Sequence, residues 1–200
     1  MAIVKLSNNG VKNITSVGNV GTGDLVFISK QTASSSASIS FTSGIDSTYK
    51  EYIFYFNNIH PATDDVYFQF QANASGETGF NETITSTAFR AFHFENDSAS
   101  GLGYRTAWDQ AQGTSYQYLG ESIGNGNDES LSGYLQIFNP SSSTFVKHFI
   151  ARSNCYSESD ISVDNYIAGY INTQTAIDEI SFEMSSGNID SGDILLYGVN

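Results

Sequence analysis

The chain has 200 residues, a formal net charge of −13 and a pI near 4.3, an acidity that would repel a phosphate backbone and so excludes nucleic acid as an expected partner. Hydrophobic residues make up 40% and aromatic residues 14%, too apolar for a disordered chain and enough to fill the core of one β-sandwich. A single cysteine, Cys155, excludes an intrachain disulfide, and no run of about 18 apolar residues exists to span a membrane as a helix.

Taken in order, Met1 to Gly23 is short of large apolar residues and interrupted by Gly10, Gly18, Gly21 and Gly23, which reads as an extended arm. We expect residues 1–23 to be an attachment arm, with Ile3, Val4, Leu6, Val11, Ile14 and Val17 as its docking side chains, and residues 24–200 to be one domain. Met1 to Leu6 lacks the basic and apolar regions of a signal peptide, so synthesis in a cytoplasm is the expectation.

Period-2 alternation then predicts strands at Leu25 and Phe27, at Ile39 and Phe41, and over Tyr52 to Phe56. In Asp65 to Ala72, Val66, Phe68 and Phe70 take one face while Tyr67, Gln69 and Gln71 take the other. Further strands are expected over Thr87–Phe94, Tyr116–Ile123, Leu131–Phe138, Phe145–Ala151, Val163–Ile171, Ala176–Met184 and Asp193–Val199. Ser43-Gly44, His60-Pro61, Ser75-Gly76, Gly124 to Asn127, Asn139-Pro140 and Ser186 to Asn188 supply the turns. Roughly ten strands with no helical stripe predict an all-β fold, an antiparallel jelly-roll-like β-sandwich. The tripeptide Ile39-Ser40-Phe41 is echoed at Ile180-Ser181-Phe182, which suggests two similar strand-turn corners.

Catalytic and metal signatures are weak. His60, His93 and His148 are far apart in sequence, and no G-x-S-x-G elbow is present. The acidic pairs Asp64-Asp65, Asp128-Glu129 and Asp178-Glu179 read as solvated charge, and the serine runs Ser34 to Ser38 and Ser141 to Ser143 as loop or strand-edge residues. Asn125, Asn127 and Glu129 put oxygen ligands at alternate positions like the start of a calcium loop, but the full pattern is missing. The expectation is a non-enzyme without cofactor. Tyr104, Trp108, Tyr116 and Tyr118, in or beside the least regular stretch, are the candidate ligand contacts, with core packing as the alternative.

The stretch FTSGIDSTYKEYIFYF at 41–56 with NIHPATDDVYFQF at 58–70, the closing SSGNIDSGDILLYGV at 185–199 and the opening AIVKLSNNGVKNIT at 2–15 together resemble small jelly-roll virion proteins of tailed bacteriophages, particularly marine cyanophages. The resemblance implies a particle component without catalysis, made in the host cytoplasm and assembled onto the virion. Its implied partners are other tail or capsid proteins and a host-surface glycan or receptor. Two placements follow: a tail-fibre or adhesin-like protein, or a decoration protein cementing the outside of the head. Symmetric particles favour a homo-oligomer, for which a trimer is expected.

Overall fold

The alternating segments become thirteen antiparallel strands in the computed structural model, which describes residues 25–200. They are β1 (Leu25–Ser36), β2 (Ile39–Phe41), β3 (Glu51–Pro61), β4 (Val66–Ala74), β5 (Ile84–Phe94), β6 (Ser100–Tyr104) and β7 (Ala111–Gly113). The remainder are β8 (Gln117–Ile123), β9 (Leu131–Phe138), β10 (Lys147–Ser157), β11 (Ile161–Ile171), β12 (Ile177–Met184) and β13 (Ile189–Val199). The expected arm, with Ile3, Val4, Leu6, Val11, Ile14 and Val17, lies outside the described residues.

Hydrogen bonding joins the strands into one antiparallel sheet folded back on itself, nearly closed into a barrel-like sandwich. Its larger layer runs β1-β13-β3-β9-β10-β11-β5, with β6 and β7 both bonded to β5. Its smaller layer runs β2-β12-β4-β8 and is joined to the larger by the Ser157↔Ile123 pairing of β10 with β8.

Between the layers lies an aromatic core. Tyr52, Phe54 and Phe56 alternate inward from β3, Phe68 and Phe70 from β4, Phe149 from β10 and Phe182 from β12, all buried. Ring centroids stand 5.3 Å apart for Phe54 and Phe182, 5.1 Å for Phe56 and Phe68, and 5.1 Å for Phe70 and Phe149. Each such side chain contributes about 1.5–3 kcal/mol by leaving water, with edge-to-face geometry adding to it. Tyr52 keeps its hydroxyl satisfied in this core: it donates to Asp46 O at 3.0 Å and accepts from Asp46 N at 3.0 Å.

The larger layer can bend over the smaller because two inward positions carry no side chain. A Cβ on Gly169 would lie 2.4 Å from Thr85 O, and one on Gly133 would lie 2.3 Å from Arg152 O, so neighbouring backbones occupy that space. Expected turns at Gly44, Gly76, Gly187 and Asn139 all carry positive φ.

The structure differs from the sequence expectation in several places; His60 and Pro61, expected to form a turn, end strand β3 and pair with Ser191 and Ile189 of β13. Strands β6 and β7 fall in a stretch read as irregular, since Gly101 and Gly103 erase any apolar alternation from β6. Strands β1 and β10 run well past the predicted bounds, with Ser34 to Ser36 inside β1, because full-length main-chain pairing with β13 and β11 holds polar residues in strands. The two echoed tripeptides are partners: Ile180 pairs with Phe41, Ser181 with Ser40 and Phe182 with Ile39, and the two serine hydroxyls lie 2.9 Å apart.

Candidate functional site

The outward residues of the larger layer form a continuous row across eight strands. Phe27 of β1 pairs with Tyr197 of β13, whose ring stands 5.7 Å from that of Tyr55 in β3. Tyr55 pairs with Tyr134 of β9, Tyr134 with Arg152 of β10, and Arg152 with Tyr166 of β11. Tyr166 pairs with Phe89 of β5, and Phe89 with Tyr104 of β6. Strand alternation requires this: in β3, the residues between inward Tyr52, Phe54 and Phe56 are Ile53 and Tyr55, which point outward.

The row is held rigidly by its own contacts. Phe89 stacks on Tyr166 at 4.8 Å with planes 4° apart, and the Arg152 guanidinium lies 4.9 Å from the Tyr166 ring centre. Arg152 donates to both oxygens of Asp164, at 3.0 Å and 2.7 Å, and the Tyr166 hydroxyl donates to Asp164 at 3.0 Å. Those donors hold the Asp164 carboxyl below its ordinary range, and the carboxylate in turn pushes the Tyr166 hydroxyl up.

Exposed apolar surface gathers on this side. Leu25, Phe27, Phe89, Leu102, Tyr104 and Ile150 are the exposed large apolar residues of these strands, with Leu102 74% exposed and Phe27 55%. Phe145 is exposed beside them, in the β9–β10 connection, where it shares a depression with Phe138 and His148. A second depression of about 500 Å³ is lined by Thr87, Phe138, His148, Ile150 and Tyr170, and a third of about 290 Å³ by Phe89, Tyr134, Arg152 and Tyr166.

The smaller layer's outer side is built differently. Gln69 donates to Glu183 and Asn73 to Glu179, each at 2.9 Å across the β4–β12 pair. Gln71 donates to the carbonyls of Glu82, Thr114 and Ser115, which ties the neighbouring loops down over the sheet.

The four aromatic residues expected as ligand contacts are not brought together on one exposed patch. Tyr104 joins the outer row, its hydroxyl donating to Asp109 at 2.6 Å. Trp108 is only 3% exposed, packed 6.0 Å from Tyr67 with the Arg105 guanidinium 4.7 Å from its ring centre. Tyr118 stacks on Tyr67 at 4.7 Å, and Tyr116 is half-buried beside Ser181. For Trp108 and Tyr118, the structure realises the core-packing alternative.

Arg105 also reaches Glu121, which is 1% exposed and takes ion pairs from both Arg90 and Arg105, the latter at 3.0 Å. Removing either charge type would leave the other buried without a counterion. Lys147 is likewise buried, its ammonium donating to the carbonyls of Ser142, Phe145 and Thr173 at 2.7, 3.1 and 3.1 Å. These are cross-links between segments.

The calcium candidate folds onto itself. The Glu129 carboxylate accepts from the Gly126 amide, Asn125 donates to Ala62 O, and Asn127 is exposed. Among the described residues, no group of three or more His, Cys, Asp and Glu side chains is placed to hold a metal ion. Cys155 is buried, and desolvation pushes its thiol up to about 12, far from a nucleophile's range.

No protein-family model, curated protein or solved structure matches the chain. The row from Phe27 to Tyr104 was not singled out as a site from the sequence, apart from Tyr104 itself. The usable signal was the surplus of aromatic residues at positions that alternate with the core, as Tyr55 does with Phe54 and Phe56.

Proposed function

We propose that the chain is a non-enzymatic contact and assembly module of a virion exterior, and that the outer side of the larger layer is the surface it uses. The observation that carries this is the row itself: across eight strands, aromatic and aliphatic side chains lie on the side with no second layer of the described residues over it. The sealed thiol of Cys155 and the engagement of buried Glu121 and Lys147 in structural contacts fit a role in which residues hold shape and do not transfer groups.

The virion assignment rests on the sequence resemblance. The strand order supports its jelly-roll component, since β1-β13-β3-β9 faces β2-β12-β4-β8 and the chain from β1 to β5 alternates between the layers. Tail and head placements differ in copy number, a few tens per particle for a fibre and hundreds for a decoration protein.

The test is to purify particles carrying the chain and quantify it by mass spectrometry, with a parallel preparation in which Ile150→Glu replaces the parent. The expected result is a surface-accessible protein whose incorporation falls at least tenfold in the variant. Absence from particles would overturn the virion reading, and normal incorporation of a folded variant would overturn the contact face.

A further inference from the structure

Resting on the contact-face reading, we infer that what covers this face is a second copy of the same chain. Charge separates this occupant from others. The chain carries a net charge of −13, so contact between copies is disfavoured over most of its surface. Within the outward row and the rows beside it the charges are Lys30 and Arg152 against Glu51, Asp164, Asp193 and, at the Tyr104 end, Asp109, two against four, and all but Glu51 and Asp109 stand in ion pairs.

The two ion pairs are closed within the face, and the other two carboxylates accept hydrogen bonds from neutral donors, Asp109 from the Tyr104 hydroxyl. Lys30 lies 3.2 Å from Asp193, Arg152 is bidentate on Asp164, and Glu51 accepts from Gln136 at 2.7 Å. Two copies can therefore meet here without breaking an ion pair, and a basic partner would find only Glu51 and Asp109 without a cation.

The size also suits self-association. Eight strands at about 4.8 Å spacing, with outward rows covering about 20 Å along them, give roughly 700 Å² per copy, close to the ~800 Å² that each partner gives to a stable interface.

The row has two unlike halves that complement each other. From Phe27 to Tyr134 it offers edge-to-face rings and phenol hydroxyls without charge. From Arg152 to Tyr104 it offers a guanidinium, a parallel ring stack and the aliphatic Leu102 and Ile150. Laying one half on the other places rings against the cation and against aliphatic groups, contacts that interfaces favour.

The test is sedimentation equilibrium of the full chain between about 1 and 100 μM, at pH 7, for the parent, I150E, F89S and N127E, the last an exposed turn position away from the face. The expected parent mass is two or three times 21.7 kDa. I150E and F89S are each expected to weaken association at least tenfold, with near-ultraviolet circular dichroism unchanged and N127E behaving as the parent. A monomeric parent throughout, or an oligomer indifferent to both I150E and F89S, overturns the inference. A monomeric parent whose I150E form still fails to enter particles leaves the contact face standing with a different occupant, a host glycan or another virion protein.

Discussion

The two outer faces of this sandwich are made by the same alternation but finished in opposite ways. On the smaller layer, amides meet carboxylates across β4 and β12, loops are tied down by Gln71, and Trp108 and Tyr118 both pack on Tyr67. On the larger layer, rings and aliphatic chains stand in a row with nothing from the described chain above them. The described residues thus cover one face with their own segments and leave the other open. An apolar patch of that breadth is uncommon on a protein that works alone.

The covered face should be the more sensitive to truncation within a single protomer, and Trp108→Ala gives the largest expected effect. The indole is buried between Tyr67 and Arg105, the latter also paired with Glu121. Its removal is expected to cost about 3–5 kcal/mol in urea unfolding. A loss below about 1 kcal/mol would mean that the 105–117 segment is not a structural cover, and the contrast between the faces would collapse.

Next in size is the polar ladder. Glu183→Ala removes the acceptor for Gln69, which is itself buried, and strands an amide against the sheet. About 1–2 kcal/mol is expected, read from the same denaturant midpoint. Full stability in the variant would show that the ladder adds specificity of register without strength.

Much of this architecture was legible beforehand, and its limits have physical causes. Val66, Phe68 and Phe70 alternate against Tyr67, Gln69 and Gln71, so β4 and its inward face could be read directly. In β3, Tyr52, Ile53, Phe54, Tyr55 and Phe56 are all apolar or aromatic, so alternation marks a strand without saying which side is core. That ambiguity hid the row, because the residues that distinguish the contact face are as apolar as the core they back. Trp108 was hidden for the converse reason: it sits between Arg105 and Asp109 in an irregular segment, and its burial depends on three-dimensional neighbours such as Tyr67. The acidic total was legible, but the pairing of Lys30 with Asp193 and Arg152 with Asp164 on one face was not, since outward positions from eight strands are scattered from residue 27 to residue 197.

The smallest effect should come from the ion pair at the middle of the open face. Asp164 is ionised at neutral pH and accepts from Arg152 and Tyr166, so its folded-state carboxyl titrates below the ordinary value of 3.8. A depressed folded value means that the stabilisation is fully present above about pH 4 and is lost as the pH falls through the lowered value. Asp164→Asn should therefore cost about 0.2–1 kcal/mol at pH 7, as a half-exposed pair does, and the gap between variant and parent should close towards pH 2. Asp46 and Asp193 are lowered too, by hydrogen bonds from Thr48 and Thr32, but both are shared by the two proteins and cancel in the difference. Urea midpoints at several pH values for both proteins test this. A gap that stays constant to pH 2 would assign the loss to packing, and one well above 1 kcal/mol at pH 7 would mean that the pair is desolvated in solution, as the covering of this face by a second copy requires.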